Sequence, residues 1–139
     1  MKLDKLDHDI IALLKHNSKL PVRDIAKHLN SKHSTIHERI KRLIRDGVIE
    51  EFTLKLNHSL LGKGFTVFMF VTGEISRSIK NSENVIELFS VTGEYEYMMK
   101  LRFRDVQEFN DFVVNFKREN SSIRKLLTTV ATETVKEEF

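Results

Sequence analysis

The sequence predicts an α+β chain. A winged helix-turn-helix spans residues 1–56, a linker spans 57–64, and a ferredoxin-like βαββαβ sandwich spans 65–139. Three observations carry this. Apolar residues recur at helical spacing in three short segments before Gly47. The second half reads as strand, helix, two strands, helix, strand. Charge is also uneven: Lys and Arg outnumber Asp and Glu 13 to 8 in residues 1–64 but trail 10 to 12 in residues 65–139, within a net charge of +3.

Ile10, Leu13 and Leu14, with Leu6 one turn earlier, mark a first helix over 6–16. Asp4 and Asp7 stand at its start, where the helix dipole favours carboxylates. Pro21 suits a first helical turn, because its missing N–H has no helical acceptor there. Val22, Ile25, Ala26 and Leu29 then share one face, predicting a second helix over 21–29. Asn30-Ser31-Lys32-His33 is a short polar turn, with Asn30 tolerant of left-handed backbone. Ile36, Ile40, Leu43 and Ile44 predict a third helix over 34–46. Thr35 and Glu38 stand at capping-box spacing, and Gly47 is its stop. Alternation from Glu50 to Leu56 predicts a strand, the wing. Gly62 and Gly64 mark the linker.

In the second half, residues 65–71 are nearly all apolar, with Phe68 and Phe70 on one face and Val67, Met69 and Val71 on the other. Such a strand is covered on both faces. Helices of its own domain can cover one; a second subunit is the economical cover for the other. Val85, Ile86, Leu88 and Phe89 predict a short helix. Gly93-Glu94 predicts a hairpin between Val91-Thr92 and the strand over 95–103. Val106, Phe109, Phe112, Val113 and Phe116 form a helical stripe, and the Thr- and Val-rich stretch 123–136 predicts a last strand.

The absence of cysteine excludes disulfides and thiolate metal sites. No apolar run approaches the ~20 residues of a membrane span, and the charged start Met1-Lys2-Leu3-Asp4 is unlike a secretory leader. The expected location is the cytoplasm, at the nucleoid, with no membrane partner.

Two helices joined by a short turn, the second basic, are the layout of a motif that sets its recognition helix in the major groove of double-stranded DNA. Ile36, Ile40 and Leu43 face inward; Ser34, Thr35, His37 and Glu38 are expected to reach base edges. Lys32, His33, Lys41, Arg42 and Arg45 are expected at phosphates. All six histidines lie in the first half. Histidines beside DNA predict an affinity that rises as pH falls through ~6.5.

The chain resembles the Lrp/AsnC (leucine-responsive, feast/famine) family of transcription regulators. The resemblance rests on Leu3-Asp4-x-x-Asp7-x-x-Ile10-Ile11, Ile25-Ala26-Lys27-His28-Leu29, Arg39-Ile40-Lys41-Arg42-Leu43, Gly47-Val48-Ile49, Leu56-Asn57, Gly62 and Gly93-Glu94-Tyr95-Glu96-Tyr97. It implies a sheet-to-sheet homodimer, assembly into tetramers or octamers, and an amino-acid effector at the contact between dimers. Carried onto this chain, the effector residues are Gly93, Glu94, Tyr95 and Glu96 with Thr128, Thr129, Thr132 and Thr134. Four positions depart from the family pattern. Glu96 stands for an aspartate and Asn30 for a turn glycine, Lys32-His33 replaces Ser-Pro, and Ser121-Ser122-Ile123 lacks a glycine.

Three other readings stay open on the residues. His33 and His37, one turn apart, have metal-ligand spacing without an evident third ligand. Sirohaem decarboxylases resemble the same family, and Lys100, Arg102 and Arg104 would meet a porphyrin's carboxylates; yet no paired carboxylates, activated nucleophile or phosphate loop is evident, so neither catalytic residues nor a cofactor are predicted. A sensor or architectural protein without specific DNA readout would suit Glu38, which repels phosphate although it can accept from cytosine.

Overall fold

A computed structural model describes residues 2–138. The outermost positions of the two predicted domain ranges, 1 and 139, lie outside the described residues. The chain divides into two units, Met1–Lys55 and Leu56–Phe139.

The first unit is three helices, α1 (Lys5–His16), α2 (Val22–His28) and α3 (His33–Arg45). Ile10, Ile25, Ala26, Ile36 and Leu43 form its buried core. Both ends of the α2–α3 pair are closed by local chemistry. After α2, Asn30 takes φ 48°, and Ser31 N–H donates to the Ala26 carbonyl at 2.9 Å. After α3, Gly47 takes φ 75°, and Val48 N–H donates to the Leu43 carbonyl at 2.9 Å. Both are Schellman closures, in which a left-handed residue turns the chain back onto the last helical carbonyls. Asn30 thus fills a role that glycine fills at Gly47.

Two expectations for this unit fail. The capping box is at α1, not α3: Asp4 accepts from Asp7 N–H and Asp7 from Asp4 N–H, each at 3.0 Å. The N-cap of α3 is Lys32, with no side-chain cap. Residues 50–56 form no strand, and Phe52 and Leu54 are exposed. Alternation makes a segment amphipathic, but a strand needs a partner, and none among the described residues pairs with it.

The second unit is a four-stranded antiparallel sheet in the order β2-β3-β1-β4. Its strands are β1 (Phe65–Thr72), β2 (Val85–Ser90), β3 (Tyr97–Phe103) and β4 (Lys125–Val130), and α4 spans Val106–Glu119. Val85–Ser90 is therefore a strand and not the expected helix; the helical turn lies earlier, a 3-10 helix at Arg77–Asn81. A register shift between Val85 and Glu87 is the cause. The bulge moves Ile86 out of alternation, so the apolar spacing imitates a helix. The last strand ends at Val130, short of the expected 136.

Val67, Met69 and Val71 of β1 and Met99, Leu101 and Phe103 of β3 are buried with Phe116 of α4. Gly73 closes this layer: at φ 115° its missing Cβ would lie 2.3 Å from the Ser122 carbonyl oxygen. The other sheet face carries Thr66, Phe68, Phe70, Met98, Lys100, Arg102, Leu127 and Thr129 by register. Residues 57–64, expected as a linker, fold into hydrogen-bonded turns of the second unit. Asn57 Oδ1 accepts from Leu60 N–H at 3.2 Å, and Lys63 Nζ donates to Glu108 at 2.8 Å.

Candidate DNA-binding face and effector region

Burying Ile36 and Leu43 aims the opposite side of α3 at solvent. His33, Ser34, His37, Glu38, Lys41 and Arg45 are exposed there, with Lys32 just before the helix. At a helical pitch these residues form one continuous face. Thr35 is half-buried at its edge. Lys41 lies 3.8 Å from Glu38, and Arg45 Nε is 3.1 Å from Asp46; both pairs are exposed and exchange readily with other ions.

Arg42 is the predicted phosphate contact that the fold places differently. Its Nη2 donates to Asp7 at 2.7 Å, and its Nε is buried without a partner. Asp7 is fully buried and also accepts from Arg39 Nη1 at 3.1 Å, while the same Nη1 donates to Asp4 at 2.6 Å. The Arg39 guanidinium holds the Asp4 carboxyl down at about 2. This four-residue network ties the start of α1 to α3. Neither Asp7 nor Arg39 is among the predicted site residues; Asp4-x-x-Asp7 and Arg39 stand in the family-like motifs, but helical spacing does not show that they pair.

His33 and His37 are both exposed, and among the described residues no group of three or more metal-ligating side chains occurs.

In the second unit, Gly93 takes φ 136° at the turn between β2 and β3. Glu94 pairs with Lys125 and Glu96 with Arg124, each at 2.8 Å. Lys125 lowers the Glu94 carboxyl below its ordinary value and is itself raised in return. Tyr95 packs 5.7 Å from Phe70, with Lys125 Nζ 5.6 Å from the Tyr95 ring centroid. The predicted effector residues thus spread along β1. The hairpin joins β1 at Val71 and Thr72. Thr129 pairs with Phe68, and Ala131 N–H reaches the Thr66 carbonyl, so Thr132 and Thr134 follow at the far end of β1. Six strand residues, about 20 Å, separate the hairpin from Ala131. Thr128 and Thr129 lie between, opposite Met69 and Phe68 at the middle of β1.

Lys100 and Arg102, considered above for a porphyrin, lie side by side on the outer sheet face and are engaged by Glu137 from beyond β4. Arg102 donates to its two oxygens at 3.0 and 2.9 Å. Arg104 is held at the start of α4, where its Nε donates to Glu108 at 3.2 Å. Glu108 also accepts from Lys63 and Asn84, and with the Arg104 N–H these donors hold its carboxyl at about 2, Lys63 contributing most.

Residues 3–50 match the winged helix-turn-helix DNA-binding family, and residues 71–139 match the Lrp/AsnC ligand binding domain. An uncharacterised HTH-type transcriptional regulator of Pyrococcus furiosus is 39% identical, over 100% of this chain and 97% of that protein. The HTH-type transcriptional regulator FL11 of the same organism is 34% identical over 80% of this chain and 78% of its own length. Among solved structures, a Neisseria meningitidis transcriptional regulator in complex with L-methionine aligns with TM-score 0.90 at 21% identity, covering 99% of this chain and 94% of that one. E. coli AsnC aligns with TM-score 0.90 at 18% identity, covering 100% and 98%. With a three-helix unit that exposes a polar recognition face and an antiparallel sheet domain behind it in sequence, this chain belongs to the Lrp/AsnC family of DNA-binding transcriptional regulators.

Proposed function

We propose that this regulator reads specific DNA sequences as a homodimer or larger homo-oligomer, with α3 in the major groove, and that an amino acid modulates it. One observation carries the DNA reading: the exposed face of α3 is unbroken and chemically mixed. Ser34, Thr35, His37 and Glu38 offer donors and acceptors to base edges near the helix start. Lys32, His33, Lys41 and Arg45 flank them and meet phosphates. Arg42 contributes at a phosphate only when it leaves Asp7. The setting is the cytoplasm, on the nucleoid.

The outer sheet face supports dimerisation. Phe68, Phe70 and Met98 lie there in register, and Phe89 and Leu127 are 48% and 44% exposed. A second sheet laid on this face buries them at the ~10 Å spacing of packed sheets. Two copies then present two α3 helices to half-sites ~34 Å apart.

The effector reading draws on the ligand-binding family match and on the L-methionine in the N. meningitidis relative. Because the hairpin at 93–96 and Ala131, after which Thr132 and Thr134 follow, lie at opposite ends of β1, a site using all of these residues draws on more than one copy. Effector binding and assembly are then linked.

The test is selection of bound duplexes from a random pool at two salt concentrations. A two-fold motif supports specific readout; salt-dependent binding without a motif contradicts it and leaves an architectural role. Thermal melts with each amino acid, read alongside the oligomeric state, test the effector: a ligand that raises Tm without shifting assembly contradicts a site between copies.

A further inference from the structure

We infer that Asp7 is a sequestering residue, which withholds Arg39 and Arg42 from DNA phosphates and so limits sequence-independent binding. The inference rests on α3 being the DNA-contacting helix. Of the four Lys and Arg residues within α3, Lys41 and Arg45 have only exposed carboxylate neighbours. Water and ions screen those pairs, and a phosphate replaces them easily. Arg39 and Arg42 differ. Their partner Asp7 is fully buried, and its two oxygens are used by Asp4 N–H, Arg39 and Arg42 together.

A carboxylate in that setting holds its cations firmly, because losing them strands a charge away from water. A phosphate at the surface gives less in return. Arg42 is nonetheless close to the DNA-facing side: it follows Glu38 by one helical turn and adjoins Lys41, and residues four apart on a helix have Cβ atoms about 6 Å apart. The bond to Asp7 holds its guanidinium toward α1. The network therefore silences two of the four cations of the recognition helix. What remains on the exposed face is dominated by base-reading groups.

The experiment measures affinity of the full chain for a selected site and for a random duplex, between about 50 and 200 mM salt. Asp7→Asn keeps the size and the capping oxygen but removes the charge. Its expected effect is tighter binding to the random duplex and a smaller specific-to-random ratio. The salt dependence steepens, each freed arginine adding about a 3.5-fold further loss across that range. Adding Arg42→Gln to Asp7→Asn returns one such factor, which a purely structural role for Asp7 does not predict. Folding is checked by circular dichroism and melting. If Asp7→Asn does not fold, Arg42→Gln in the otherwise wild-type chain carries the test: Arg42 is already held by Asp7, so its salt dependence is expected to match wild type, and a slope smaller by about one overturns the inference. A folded Asp7→Asn variant with unchanged or shallower salt dependence overturns the inference while the DNA-binding reading stands. A wild-type chain without salt-dependent binding overturns both.

Discussion

Two buried charge clusters, one in each unit, solve the same problem in opposite ways. In the first unit a single fully buried carboxylate, Asp7, is satisfied by two arginines three residues apart on α3. In the second unit two nearly buried cations, Lys100 and Arg102, whose side chains are 13% and 9% exposed, are satisfied by one carboxylate, Glu137. The first cluster joins two helices that pack anyway and leaves a recognition face clean. The second pins the segment beyond β4 to the polar end of a sheet face whose other end carries Phe70, Met98, Phe89 and Leu127. A buried charge costs little when its partner comes from an element already in place, and more when the partner must be ordered from a terminal segment.

The largest effect is expected from Asp7→Ala. It leaves two guanidiniums without their buried partner and removes half of the α1 capping box, so a loss of about 3–5 kcal/mol is predicted, read as a fall in Tm of the first unit. Glu137→Gln is the matching change in the second unit. The glutamine keeps an oxygen that accepts from Lys100 and Arg102 and removes no helix cap, so about 1.5–3 kcal/mol is expected from chemical denaturation. Equal losses from the two would contradict the difference between the clusters.

Acid compares one further carboxyl from each unit. Asp4 falls from 3.8 and Glu108 from 4.5, each to about 2, Arg39 and Lys63 being the main causes. Both carboxyls hold protons less tightly when folded. Their contribution is therefore complete above roughly the unfolded values and is lost as pH falls through about 2. Tm is expected to fall over that window in wild type, and Glu108→Gln is expected to start lower with a flatter acid limb. A Glu108→Gln profile parallel to wild type would show that this carboxylate contributes nothing there.

Smaller effects are expected on the exposed face of α3. Thr35→Ala should relax preference at one base position by roughly 1 kcal/mol, measured against a set of single-base variants of the selected site. Uniform weakening across that set would reduce Thr35 to a positioning contact.

The helices of the first unit were legible to within a residue because each has its own apolar stripe and its own stop, with Asn30 and Gly47 announcing the left-handed closures. Residues 65–71 were equally plain as a strand: the run is rich in Val and Phe and shorter than a typical helix. Three features were hidden for physical reasons. The bulge at Val85 and Glu87 gave β2 a helical apolar spacing. The alternating 50–56 segment carried the pattern of a strand, yet pairing is a property of two segments. Arg42 read as outward because helical periodicity assigns a face, whereas a long side chain at the edge of that face follows the nearest buried carboxylate. The pairing of Glu137 with a strand more than thirty residues earlier left no local signal.

The central claim is that the exposed face of α3 meets the phosphates and base edges of DNA. Its most direct test is the slope of log affinity against log salt for wild type and Lys41→Ala on one duplex. The account predicts a linear fall for wild type and a slope smaller by about one for Lys41→Ala. Identical slopes and affinities would contradict it.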